Sequence, residues 1–129
     1  MRPSRSQWDD SIDFMKVFLV LEDEPLVAMD LRFAFEDSGH EAIVVANNRE
    51  ALEAIEGSAI AAAILDVSLG GGETCEPTAA KLSDEAIPFL LHTGDWNRAG
   101  ERLRKFDAPV LTKPQNSETV VARAVALTE

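Results

Sequence analysis

Five residues of this 129-residue chain carry groups suited to a single piece of chemistry. Glu22 and Asp23, Asp66, Thr93 and Lys113 each stand at or just beyond the end of a short apolar run. Carboxylates gathered at the edge of a low-dielectric core repel one another, which raises their proton affinity unless a cation neutralises them. A hard divalent ion with oxygen ligands answers that need; Mg²⁺ is the expected ion, with Mn²⁺ as a substitute. Beside such an ion Asp66 is equipped to attack phosphorus, because aspartyl-phosphate formation is an established use of a carboxylate nucleophile. The Lys113 ammonium would neutralise phosphoryl charge and the Thr93 hydroxyl would hydrogen-bond a phosphoryl oxygen.

These residues meet only if the apolar runs are neighbouring strands. The runs are Val17 to Leu21, Ala42 to Val45, Ile60 to Leu65, Pro88 to Leu91 and Pro109 to Leu111. Their length and continuity suit strands buried on both faces, as in a parallel sheet. Between them lie helical patterns. Leu26 to Ser38 places Val27, Leu31, Ala34 and Phe35 on one stripe before the stop at Gly39. Asn47 to Glu50 reads as a capping box opening a helix with Leu52 and Ile55 inward, closed by Gly57. Pro77 to Leu82, Trp96 to Phe106 (interrupted by Gly100) and Asn116 to Leu127 complete five βα units. Strict alternation predicts an α/β fold, a doubly wound five-stranded parallel sheet with helices on both faces and ligands at the C-terminal strand ends.

Composition bounds the function. The 46% of apolar residues is enough for one core and hardly for two, so residues 16–129 are expected to form one domain and residues 1–15 a mobile arm, with Trp8 available to dock on a surface. Lys and Arg number 12 against 23 acidic residues, and the net charge of −11 repels nucleic acid and anionic membranes. The single cysteine, Cys75, excludes an internal disulfide and fits a reducing cytoplasm; no leader or membrane span is expected. Gly70-Gly71-Gly72 lacks the lysine of a phosphate-binding loop and reads as a flexible connection.

The set Leu21-Glu22-Asp23-Glu24, Ile64-Leu65-Asp66-Val67, Thr93-Gly94 and Leu111-Thr112-Lys113-Pro114, in this order on these strands, resembles the receiver domain of two-component response regulators. The resemblance covers roughly residues 16–128, and short single-domain receivers of bacteria such as the α-proteobacteria are similar around Asp66 and Thr93. It implies the flavodoxin-like strand order 2-1-3-4-5. It makes Asp66 the phospho-acceptor, Glu22, Asp23, Asp66 and the Ser68 backbone carbonyl the Mg²⁺ ligands, Thr93 the switch hydroxyl and Lys113 the phosphoryl contact. It also implies a histidine kinase or histidine phosphotransfer protein as donor and an unknown protein as target. The protein would be a monomer or weak homodimer with no output domain and no enzymatic activity beyond acceptance and hydrolysis at Asp66.

Departures from that pattern keep other readings open. Gly70 stands where the family often has Pro, which predicts a mobile loop, and Val110 replaces an aromatic side chain that rotates with the switch. Ser68 and Asp95 occupy positions that tune phosphoryl hydrolysis. A phosphohydrolase would want a second acid at position 68, and a pseudo-receiver would keep the fold without turnover. Singly, Asp66 as a loop cap, Thr93 as a strand-end hydroxyl and Lys113-Pro114 as a solvated turn are ordinary features. His92 is expected to be packed, Cys75 silent, Glu24 a first-turn helix charge and Trp96 either partner-facing or core.

Overall fold

A computed structural model describes residues 15–94, 96 and 100–129. The expected N-terminal arm, including Trp8, lies outside the described residues except for Met15, and so does Asp95.

The strands are β1 (Val17–Leu21), β2 (Glu41–Val45), β3 (Ala62–Asp66), β4 (Phe89–Thr93) and β5 (Val110–Thr112). They form one parallel sheet in the order β2-β1-β3-β4-β5, as the resemblance implies. The helices are α1 (Pro25–Asp37), α2 (Asn48–Gly57), α3 (Glu76–Asp84) and α4 (Ser117–Ala126), with a 3₁₀ segment, η1, at Gly100–Phe106. α1 and α4 cover one face of the sheet through Phe18, Val20, Ile64, Leu90, Leu31, Phe35, Val120 and Ala124. α2, α3 and η1 cover the other through Leu19, Leu21, Leu65, Leu91, Ile55, Leu82 and Leu103. Every residue of β3 and β4 is buried, whereas β2 at the sheet edge is only half-buried at Ile43 and Val44. Edge position accounts for that difference from a run expected to be buried on both faces.

Local chemistry sets the helix ends. The Asn47 carboxamide accepts from Glu50 N and the Asn116 carboxamide from Thr119 N, so each supplies an N-cap. The Glu50 carboxylate reaches back to Ala46 N rather than to Asn47 N, so the capping box closes one residue early. In α2 the buried pair is Ala51 and Ile55, with Leu52 at the margin. The helix expected over Trp96 to Phe106 is, over its last seven residues, the tighter η1. Gly100 is buried there against the Trp96 ring, where a Cβ would collide with the indole; a glycine at that point also weakens α-helix formation. Lys105 and Arg102 tie η1 to Glu76 at the start of α3.

No helix among the described residues is long and apolar enough to cross a membrane.

Candidate functional site

All five chemically equipped residues come to the C-terminal edge of the sheet. Glu22 follows β1 and is held there by Glu22 N donating to Val45 O (3.0 Å). Asp66 ends β3 beside His92 of β4, and Thr93 ends β4 beside Thr112 of β5. Lys113 N donates to Thr93 O (2.8 Å), which fixes the lysine backbone to the threonine. Asp23, Glu24, Asp66, Ser68, Thr93, Gly94 and Lys113 line one open cavity of about 340 Å³. Glu22, Asp66 and Thr93 are buried and Asp23 is exposed. Ser68 is exposed beside Asp66, its N–H 3.4 Å from Asp66 Oδ1.

One carboxylate oxygen from each of Glu22, Asp23 and Asp66 lies within 4.8 Å of the others. This donor set, all hard oxygen and partly open to solvent, fits a divalent cation of the Mg²⁺ class. Electrostatics point the same way. Burial, and then Glu22 beside it, push the Asp66 carboxyl up to about 8 against the pull of Lys113. The Lys113 Nζ donates to Asp66 Oδ2 (3.3 Å), Glu24 Oε1 (3.0 Å) and Glu22, whose Oε1 is 3.1 Å away. Burial works to lower the Lys113 pKa, but Glu24, Asp66 and Glu22 outweigh it and hold the ammonium above its ordinary range. Glu24, expected as a first-turn helix charge, instead precedes α1 as its N-cap residue with no side-chain cap and turns toward the lysine.

The loop between β3 and α3 is more built than the triple glycine suggests. Gly70, Gly71 and Gly72 have φ of +84°, +59° and +80°, conformations that other residues adopt only with strain. They close a turn in which Leu69 N donates to Glu73 O, Glu73 N to Gly70 O and Cys75 N to Val67 O, with Ser68 and Thr74 bridged antiparallel. A Cβ on Gly70 would lie 3.6 Å from Asp23 Oδ2, so the turn passes beside the Asp23 carboxylate. Cys75 is accordingly not in an open loop. It is fully buried under α3, and burial followed by the Asp66 charge pushes its thiol up to about 12, which leaves it inert.

A clamp from α2 holds this turn. Asn48 Nδ2 donates to Thr74 O (2.9 Å), and the buried Thr78 hydroxyl donates to Asn48 Oδ1 (2.7 Å). Asn48→Ala strands the Thr78 hydroxyl and frees the turn, so urea unfolding should show a loss of about 1–3 kcal/mol. A midpoint unchanged from wild type would mean that water replaces the amide. Sequence reading placed Asn48 only in a helix cap; its clamp depends on contacts 26 and 30 residues away.

His92 is buried, as expected, but neither ring nitrogen has a hydrogen-bond partner. Burial, reinforced by Lys113, pushes its pKa down to about 4, so it is neutral at physiological pH. Val110 is half-buried against the core, and Trp96 is likewise packed on it with the Arg104 guanidinium 5.9 Å over the ring. Trp96 is thus at least partly a core residue.

No protein-family model matches the chain. Among curated proteins it is 34% identical over 114 residues to the transcriptional regulatory protein TcrA of Mycobacterium tuberculosis, covering 84% of this chain and 44% of TcrA. The chain therefore spans less than half the length of that relative. Among solved structures it is 38% identical to SdrG from Sphingomonas melonis Fr1, with a TM-score of 0.73 over 89% of this chain and 97% of SdrG. The chemotaxis protein CheY4 of Vibrio cholerae (22% identity, TM-score 0.73, 84% of this chain and 95% of that one) shares the fold. So does the response regulator TrrA of Thermotoga maritima (21%, 0.75, 88% and 99%). With the acid pair, aspartate, threonine and lysine at the C-terminal strand ends of this sheet, 34% identity to the regulator TcrA over 84% of this chain, 38% identity to SdrG along 97% of its length, and the fold shared with CheY4 and TrrA, the chain belongs to the receiver domains of two-component response regulators.

Proposed function

We propose that this receiver is switched by Mg²⁺-dependent phosphorylation of Asp66, with a histidine kinase or histidine phosphotransfer protein as donor, and that it signals in the cytoplasm by altered protein binding. The observation that carries the reading is the junction of Lys113 Nζ with buried Asp66 and Glu22 at 3.3 and 3.1 Å, beside an oxygen set that fits a divalent cation. TrrA, which shares the fold, was solved with Mg²⁺ and BeF, a combination that supports the same ion here.

In the proposed reaction an Asp66 carboxylate oxygen attacks the donor's phosphorus. The new P–O bond forms as the P–N bond to histidine breaks, and the imidazole leaves with the electron pair. A bound divalent cation would neutralise the carboxylates and the transferring oxygens. Lys113 carries the remaining positive charge to the phosphoryl group, and Thr93 offers its hydroxyl at the end of β4. In a separate hydrolysis, water attacks phosphorus, the P–O bond to Asp66 breaks with the carboxylate as leaving group, and inorganic phosphate departs. The Ser68 side chain is small and exposed, which leaves that water a path. In this reading acceptance and hydrolysis at Asp66 are the domain's own chemistry, and it acts as a switch.

Two surfaces suit partners. Leu26, Met29 and Phe33 are exposed along α1, starting within a turn of the acid pair, and a protein donor must come this close to reach Asp66. The output runs through the Thr93–Lys113 backbone link to β5 and α4. Val110 has no ring to rotate, so shifts of backbone around β4 and β5 carry the signal.

Intact-mass spectrometry after incubation with acetyl phosphate and Mg²⁺ tests the proposal. A single added phosphoryl group is expected, absent from Asp66→Asn and from metal-free protein. No adduct on wild type, with none trapped by beryllofluoride either, would make the domain an unphosphorylated interaction module.

A further inference from the structure

The Lys113 ammonium has three N–H donors, and three carboxylates take them: Glu22, Asp66 and Glu24. An incoming phosphoryl oxygen needs one of these places. Glu22 is 3% exposed and is further held by Glu24 N donating to its Oε2 (3.2 Å). Asp66 is the buried floor of the cavity. The Glu24 side chain is 60% exposed, so water can replace the lysine as its partner at little cost. Of the three contacts, the one to Glu24 is therefore the one that yields.

We propose that Glu24 is a positioning residue that sets the rate of phosphoryl loading by competing with the phosphoryl group for the Lys113 ammonium. The inference rests on Asp66 being the phospho-acceptor. In the unphosphorylated domain Glu24 completes the lysine's hydrogen bonds and draws part of its charge toward the rim of the cavity. Its own negative charge on that rim also opposes an anionic donor. Both effects slow loading, and both are removed in Glu24→Gln, but only the first acts through Lys113.

The test is the rate of acetyl phosphate labelling at saturating Mg²⁺, followed by intact mass, in wild type, Glu24→Gln, Lys113→Met and the double variant. Glu24→Gln should load roughly two- to fivefold faster, the range of a partly exposed ion pair. In the Lys113→Met background most of that gain should vanish, as a coupled pair requires. Wild type that labels while Glu24→Gln is unchanged or slower overturns the proposal and leaves the acceptor role of Asp66 intact. An equal gain in both backgrounds also overturns it, because Glu24 would then act by rim charge alone. Wild type that does not label removes the acceptor reading and this one with it. Should Lys113→Met not fold even with Mg²⁺, the ¹⁵Nζ resonance of Lys113 decides: it shifts in Glu24→Gln if the pair exists in solution, and stays in place if it does not.

Discussion

Metal-free protein is expected to lose stability as pH rises from about 6.5 to about 8, and Mg²⁺ to restore it. The folded state holds the Asp66 proton up to about 8, whereas the unfolded chain releases it near 3.8. Between those values the native state binds more protons than the unfolded one, so stability falls with rising pH. His92 works in the opposite sense. Its folded pKa of about 4 lies below the ordinary 6.5, so the unfolded chain binds the extra proton and stability rises with pH across that interval. The two slopes oppose each other below 6.5 and leave Asp66 alone above it. There the fall should approach about 1.4 kcal/mol per pH unit, or roughly 3–6 °C in melting temperature for a domain of this size. A cation takes the deprotonated carboxylate, so the gain from Mg²⁺ should grow as pH rises.

Melting curves with chelator and with Mg²⁺, across that pH range, check this. Asp66→Asn should flatten the metal-free profile. His92→Leu, which also removes two buried nitrogens that lack partners, should extend the fall to lower pH. A flat metal-free profile in wild type would mean that the carboxylates at this edge are not frustrated without a cation.

The sheet was legible because each strand is a short apolar run, and the site because each reactive residue stands where such a run stops. Parallel strands force those ends to one edge, so Glu22, Asp23, Asp66, Thr93 and Lys113 meet without any contact being known. What the pattern could not carry lies in distant side-chain contacts. Glu24 resembles any acidic residue ahead of a helix until Lys113, 89 positions on, reaches it. Cys75 sits in a glycine-rich stretch that reads as open, yet it caps α3, donates its N–H to Val67 O and is buried in the core. Gly100 warned of a break in the segment after β4, but not that the Trp96 ring packs where its Cβ would stand. His92 stands between Asp66 of β3 and Leu111 of β5, yet neither ring nitrogen finds a hydrogen-bond partner, which no local spacing reveals.

Lys113→Met should cost about 3–5 kcal/mol in metal-free protein, the loss typical when one partner of a buried ion pair is removed. The ammonium, 18% exposed, is the positive charge held against the buried Glu22 and Asp66 carboxylates. Without it the two acids repel each other with nothing between them. Asp66 can answer by keeping its proton, so the penalty should shrink as pH falls and be greatest above about 8. Mg²⁺ held by the same oxygens would bring the missing charge and should recover most of the loss. Glu24→Gln, which removes only the exposed member of the cluster, should by contrast move stability by less than about 1 kcal/mol. Urea midpoints with chelator and with Mg²⁺ measure these differences, with unchanged slopes confirming that stability alone has altered. If Lys113→Met unfolds at the wild-type midpoint in chelator, the lysine is not what holds the acids together.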